Sequence, residues 1–174
     1  PDEFDPVKNM EIGSPVKIFF SSRTHSQLNQ FASQLRLPKF PASFKSMDNE
    51  RIKYLPLGSR KQLCVHPKVS KLGGNFINDA CLDAVNKKEC EFYTNSKDLR
   101  IEKNFRDHTF KTIHDIEDLT SIGKTLDTCP YYSSRAAISG SEIITLPYQH
   151  LLLENARSSL GIDLKDSIVI VDEA

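Results

Sequence analysis

The sequence has no excess of charge of either sign. Lysine plus arginine and aspartate plus glutamate both number 23. Net charge therefore points to no nucleic-acid partner, and only local clustering could. No apolar run approaches the length of a membrane span, which sets aside a transmembrane helix in this stretch. No succession of basic, apolar and small residues has the form of a signal peptide. A reducing compartment is the expectation, and there the 4 cysteines favour metal binding or catalysis over disulfides. No two of them have the tight C-x2-C spacing of a zinc ribbon. Internal repeats and low-complexity tracts are absent too. What remains is a chain of 174 residues, 39% hydrophobic and 26% charged. That suffices for one good-sized domain, or two small ones, around a buried core. It starts without Met and stops just after an apolar run. The expectation is a piece of a larger protein.

The order of patterns predicts an α/β fold. Residues 1–15 read as a polar, Pro-containing lead-in. Val16-Lys17-Ile18-Phe19-Phe20 reads as a strand. Thr24 and Gln27 have the spacing of a capping box, and Leu28, Phe31, Ala32 and Leu35 follow on one helical face. Pro38 and Pro41 close that helix. Residues 51–57 read as a second strand. Across 60–130 the periodicity weakens and all four cysteines occur, the mark of an insertion that needs a staple. Residues 130–138 read as a short helix with Pro130 in its first turn. Residues 142–146 read as a strand, and Pro147 opens another helix. Ser167-Ile168-Val169-Ile170-Val171 reads as a strand from the middle of a parallel sheet.

Four constellations carry chemistry. The last strand ends in Asp172 and Glu173. Ligands of open parallel sheets sit beyond the carboxyl ends of the strands, where an Asp can hold Mg²⁺ and a Glu can polarise water. Two solvated acids would end a strand the same way. Ser21-Ser22-Arg23-Thr24-His25-Ser26-Gln27 places hydroxyls, an arginine and a helix N-terminus together, a set of donors for phosphate oxygens. Helix capping by Thr24 accounts for part of that pattern without a ligand. The cysteines, spaced Cys64-x16-Cys81-x8-Cys90-x38-Cys129 and followed by Pro130, suit ligands gathered from separate loops. Four buried free cysteines are the plain alternative. His66 reads as packed or exposed rather than as a ligand. Residues 51–71 hold Arg51, Lys53, Arg60, Lys61, Lys68 and Lys71 and no acid, a basic stretch suited to a phosphate backbone or simply to solvent. Tyr131 and Tyr132 could stack on bases or pack the insertion.

Taken together, these residues resemble the XPD-like superfamily-two iron–sulfur DNA helicases. Ser21 to Leu28 resembles their motif Ia. Arg60-Lys61-Gln62-Leu63-Cys64 and Cys129-Pro130-Tyr131-Tyr132 resemble the segments carrying their first and fourth cluster cysteines. Thr145-Leu146-Pro147-Tyr148-Gln149 resembles the segment before Walker B, and Val171-Asp172-Glu173-Ala174 resembles a DEAH box without its His. Within the family the chain is most similar to the fungal chromosome-loss (ChlR-type) branch.

The resemblance implies part of a RecA-like motor domain with a parallel sheet, interrupted by a mainly helical iron–sulfur domain. The implied divisions are a lead-in at 1–15, motor at 16–58, cluster domain at 59–130 and motor again at 131–174. It implies a 4Fe-4S cluster on Cys64, Cys81, Cys90 and Cys129, and Mg²⁺ and ATP in the full-length protein. Asp172 would help hold Mg-ATP and Glu173 would be catalytic. Ser22, Arg23, Thr24, Arg60, Lys61, Tyr132 and Arg135 would contact DNA. The implied work is ATP-driven 5′→3′ movement on single-stranded DNA and fork unwinding in the nucleus. Replication and sister-chromatid cohesion proteins would be the partners, with no membrane involved. A P-loop of the form G-x-x-x-x-G-K-[ST] is missing, and Gly123-Lys124-Thr125 is a chance echo of it. Alone, this chain is expected neither to hydrolyse ATP nor to unwind DNA. The competing readings are a zinc-stapled nucleic-acid-binding module or a protein-interaction module without a motor.

Overall fold

The structure, a computed structural model, describes residues 16–40, 51–74 and 76–172. The expected lead-in, Pro41 and Glu173 lie outside the described residues. Four strands form one parallel sheet: β1 Ile18–Ser22, β2 Tyr54–Pro56, β3 Ile143–Pro147 and β4 Ile168–Val171, in the order β2-β3-β1-β4. β1, β3 and β4 lie within two residues of their predicted places, and β2 occupies only the centre of the predicted 51–57. β1 runs two residues further than its apolar run, through Ser21 and Ser22. Its pairing carries it there: Ser21 stands opposite both Leu146 and Val171. The buried Ser21 hydroxyl donates to the Leu146 carbonyl at 2.9 Å, so the polar group costs the strand little.

Parallel strands need crossovers, and each one here is helical. The first carries α1, His25–Leu35, capped by Thr24 in the expected box with Gln27. Its Phe31 stacks on Phe20 at 4.1 Å. The second crossover, from β2 to β3, holds the cysteines and six helices. These are α2 Arg60–Leu63, α3 Phe76–Asn86, α4 Glu91–Asn95, α5 Leu99–Thr109, α6 Ile116–Thr125 and α7 Pro130–Ala136. The third carries α8 Tyr148–Leu152 and α9 Glu154–Leu160, closed by Gly161 in the left-handed conformation at φ 66°.

One core joins the sheet to half of the second crossover. Phe19, Leu55, Ile144 and Leu146 pack with Leu63, Phe105, Ile116 and Leu119. Gly123 lies inside α6, not in a phosphate loop. A Cβ there would collide with the Pro130 ring, so glycine lets α6 and α7 touch. A separate cluster of Val69, Ile77 and Cys81, with Cys64, Val85 and Tyr132 against it, surrounds the cysteines. Read as a central strand, β4 is an edge strand among the described residues, with all four of its residues exposed. Its only strand partner among the described residues is β1.

Candidate functional site

The carboxyl ends of the strands converge on one side of the molecule. β1 delivers Ser22, Arg23 and Thr24. β2 delivers Arg60 and Lys61 on α2, and β3 delivers His150 on α8. β4 delivers Asp172, whose N–H donates to the Ser21 carbonyl at 2.9 Å. Ser22 is buried, and its hydroxyl donates to Gln27 Oε1 at 2.8 Å. The Thr24 hydroxyl donates to the same oxygen at 2.9 Å and accepts from the Gln27 N–H. Arg23 is exposed. Of the three residues predicted to grip a backbone, then, Ser22 faces inward while Arg23 and Thr24 face solvent. Burial lowers the pKa of both His25 and His150, and Arg135 adds to the effect on His150. His25 lies within the predicted phosphate-gripping segment, whereas sequence reasoning assigned His150 no place at this end.

The four cysteines line one small apolar cavity, together with Val65, Val69, Ala84 and Tyr132. All are free thiols. Each is positioned by a helix. Cys64 ends α2, Cys81 sits on the inner face of α3, Cys90 caps α4 and Cys129 caps α7. The Cys129 N–H donates to the Phe92 carbonyl at 3.0 Å, tying the two capping cysteines together. Burial raises the pKa of Cys64 and Cys90 and pushes Cys129 up to about 12. The backbone N–H groups of Tyr93 and Phe92 at Cys90, and of Tyr132 and Tyr131 at Cys129, oppose that rise. Thiols so placed hold their protons at neutral pH, and a metal bound there would have to displace them. Among the described residues, no three His, Cys, Asp or Glu side chains are gathered closely enough to hold a single metal ion. His66 also lines the cavity, and its Nδ1 accepts from the N–H groups of Lys68 and Val69 at 3.2 Å.

A stack of cations and tyrosines walls this cavity. Arg60 lies over the Tyr131 ring at 4.4 Å and donates to the Tyr132 hydroxyl at 3.3 Å. Arg135 covers Tyr131 at 3.3 Å and donates to its carbonyl at 2.6 Å. Tyr132 meets Tyr93 edge to face at 4.7 Å, and Lys97 lies over Tyr93 at 5.1 Å. Burial pushes Arg135 down to about 10, the Tyr131 ring opposes, and Arg60 adds to the push. Arg60 Nε is buried without a hydrogen-bond partner among the described residues. Tyr93 and Lys97 escaped the sequence reading, although a signal existed. Cys90-Glu91-Phe92-Tyr93 and Cys129-Pro130-Tyr131-Tyr132 share the pattern Cys-x-x-Tyr. In each, the Cys caps a helix and the Tyr occupies its third position.

The predicted basic stretch is divided by β2. Arg51 and Lys53 precede that strand, and Arg60 and Lys61 follow it, at the other end of the sheet. Lys61 reaches the Leu72 carbonyl with its Nζ at 2.9 Å, bracing the loop after Cys64.

Comparison with known proteins matches residues 20–174 to the DEAD_2 family model. The chain is 65% identical over 166 residues to the ATP-dependent DNA helicase CHL1 of Kluyveromyces lactis, covering 95% of this chain and 21% of that protein. It is 59% identical over 174 residues to the CHL1 helicase of Eremothecium gossypii, covering 100% of this chain and 22% of that protein. It thus spans about a fifth of the length of these relatives. Among solved structures, an XPD helicase superposes with a TM-score of 0.57 at 19% identity, over 91% of this chain and 24% of that one. A truncated XPD gives 0.52 at 17% identity, over 92% of this chain and 41% of that one. At these identities the likeness shows the fold alone, a parallel sheet with helical crossovers, and it agrees with the α/β class expected from sequence. The matches bear out the resemblance to XPD-like helicases and to their chromosome-loss branch.

Proposed function

The chain belongs to the DEAD_2 family, and on that premise we propose that it forms part of an ATP-dependent DNA helicase. The whole protein would move 5′→3′ on single-stranded DNA and open forks, acting in the nucleus with replication and cohesion proteins. The observation that carries this reading is the cysteine cavity. Four free thiols from four separate elements meet at one cavity, beside the strand ends where a motor works. On this reading Cys64, Cys81, Cys90 and Cys129 hold a 4Fe-4S cluster. When bound, the cluster supplies iron–thiolate bonds that tie α2, α3, α4 and α7 together.

The chain's own residues would divide the remaining work. Asp172, held to β1 through its N–H, would help hold Mg²⁺ with ATP, and Glu173 would polarise the attacking water. Arg23 and Thr24 would meet backbone phosphates, while Ser22 fixes Gln27 and so the first turn of α1. Arg60, Lys61, Tyr132 and Arg135 would flank the strand as it passes the cluster, with the tyrosines keeping both guanidiniums in place. No P-loop sequence is present here to cradle ATP phosphates, so this chain by itself would be inactive.

Anaerobic purification tests the central claim. The protein should be brown, with iron and acid-labile sulfide in comparable amounts. Cys64→Ser and Cys129→Ser should each lose both. Colourless protein that retains zinc through anaerobic handling would replace the cluster with a zinc staple.

A further inference from the structure

Lys97 stands between α4 and α5, outside every segment predicted to meet DNA. Its Nζ lies over the Tyr93 ring at 5.1 Å and over the Tyr132 ring at 5.8 Å. Arg60 shares Tyr132 with it, at 5.9 Å from the same ring, and shares Tyr131 with Arg135. The rings join in turn. Tyr131 meets Tyr132 edge to face at 5.0 Å, and Tyr132 meets Tyr93 at 4.7 Å. Three cations from α2, α7 and the end of α4 thus alternate with three tyrosines along one wall. The acid next to Lys97 in sequence is engaged elsewhere. Asp98 caps α5, accepting from the N–H groups of Arg100 and Ile101 at 2.8 and 3.3 Å, and lies 3.8 Å from the Arg100 Nε. Lys97 is exposed, and no carboxylate pairs with it, with Arg60 or with Arg135 among the described residues.

We propose that Lys97 binds a backbone phosphate of single-stranded DNA, next to those met by Arg60 and Arg135, and that Tyr93 holds it in position to do so. The inference rests on the DNA path proposed for Arg60 and Arg135 and extends it to the junction of α4 and α5. Gathering like charges on one wall costs Coulomb energy. Arg135 shows that cost: burial lowers its pKa to about 10, and Arg60 adds to the effect. The ring faces offset part of it by attracting the cations. A strand running along the wall, with one phosphate per nucleotide, offsets the rest and suits a row of cations better than a single carboxylate does. The three rings are taken up by cations and by one another. They therefore serve as mounts for charge, and the wall meets the strand through its backbone without reading bases. Cys90 caps the helix that carries Tyr93 and leads to Lys97, so this contact is positioned from the cysteine cavity.

Salt dependence tests it. Fluorescence anisotropy would follow binding of the anaerobically purified chain to a labelled single-stranded oligonucleotide over a series of salt concentrations. With Lys97→Ala, the slope of log affinity against log salt should shrink by about 0.7. Lys97→Arg should keep the parent slope. Lys103→Ala, an equal loss of charge at an exposed position of α5, should keep it too. Tyr93→Phe retains the ring and should bind like the parent, whereas Tyr93→Leu should repeat the Lys97→Ala slope with iron content unchanged. An abasic oligonucleotide should show the same Lys97 effect as one with bases. A parent slope in Lys97→Ala overturns the proposal. If Arg60→Ala and Arg135→Ala still shrink the slope in that case, the DNA path stands without Lys97. If none of the three does, or if the chain binds no single strand, the path falls and the proposal with it. A parent slope or a loss of iron in Tyr93→Leu would strike the positioning role of Tyr93.

Discussion

Two residues with positive φ prepare the cysteine cavity. Lys88 at φ 59° stands two positions before Cys90, and Asp127 at φ 49° stands two positions before Cys129. In each case a helix has just ended, and the left-handed residue turns the chain so that the cysteine can cap the next helix. The Asp127 carbonyl is held there by Asn95 Nδ2 at 2.8 Å. Non-glycine residues in this conformation cost about 1 to 2 kcal/mol, and glycine adopts it freely at some entropic cost to the folded state. Asp127→Gly should therefore raise stability by about 0.5 kcal/mol, a rise of about 1 to 2 °C in the thermal midpoint. Its metal content should not change. A lower midpoint on calorimetry would show that the Asp127 side chain contributes something the geometry does not reveal. Sequence alone gave no hint of either residue's role, because Lys and Asp occur in every kind of loop.

At the scale of elements, the contact of α6 with α7 sets the position of Cys129. A Cβ on Gly123 would run into the Pro130 ring and come within 3.0 Å of the Thr128 carbonyl. Alanine normally stabilises a helix interior relative to glycine by about 1 kcal/mol. Here overpacking against a rigid ring should reverse the sign. Gly123→Ala is expected to destabilise by about 2 kcal/mol and to loosen the proposed cluster, because Pro130 adjoins Cys129. Iron content and urea midpoint should fall together. A stabilised variant would mean that the two helices slide apart without cost. The same helices explain what the sequence concealed. β3 and β4 were readable from their β-branched runs, Ile143-Ile144-Thr145 and Ile168–Val171, and β1 from the apolar run Ile18-Phe19-Phe20. Residues 76–125 looked aperiodic, yet α3 buries Ile77, Cys81 and Ala84, α5 buries Phe105 and Thr109, and α6 buries Ile116, Leu119 and Gly123. Each stripe has helical spacing, but Cys, Ala, Thr or Gly stands where a large aliphatic residue would have announced it. The candidate site was readable in its cysteines and less so in its tyrosines, whose Cys-x-x-Tyr spacing has meaning only once the cysteines are seen as helix caps. β4 is the apolar parallel strand its sequence predicts, and its four residues are exposed among the described residues, because burial depends on the elements packed against a strand and composition does not specify them.

For the whole molecule, the second crossover is not one unit standing on a metal. Phe105, Ile116 and Leu119 are buried in the same core as Phe19 and Ile144, and Arg36 at the end of α1 bonds the Ile113 carbonyl at 2.8 Å and Asp118 at 3.3 Å. Hydrophobic burial of this kind holds α5 and α6 on the sheet whether or not a metal is bound. The region of α3 and α4 is different. Its apolar cluster is small and includes two of the cysteines themselves, so its order depends on whatever the thiols hold. Removing the proposed cluster, by chelation or by Cys64→Ser, should therefore split the crossover in two. In hydrogen exchange, amides of α3 and α4 should lose protection toward that of an open chain, while those of α5, α6 and β3 keep theirs. Uniform loss across α3 to α7 would mean that the metal supports the entire crossover and that the shared core is too weak to hold it. Retained protection in α3 and α4 would mean that the four thiols pack as ordinary buried cysteines, and the case for a cluster would fall with it.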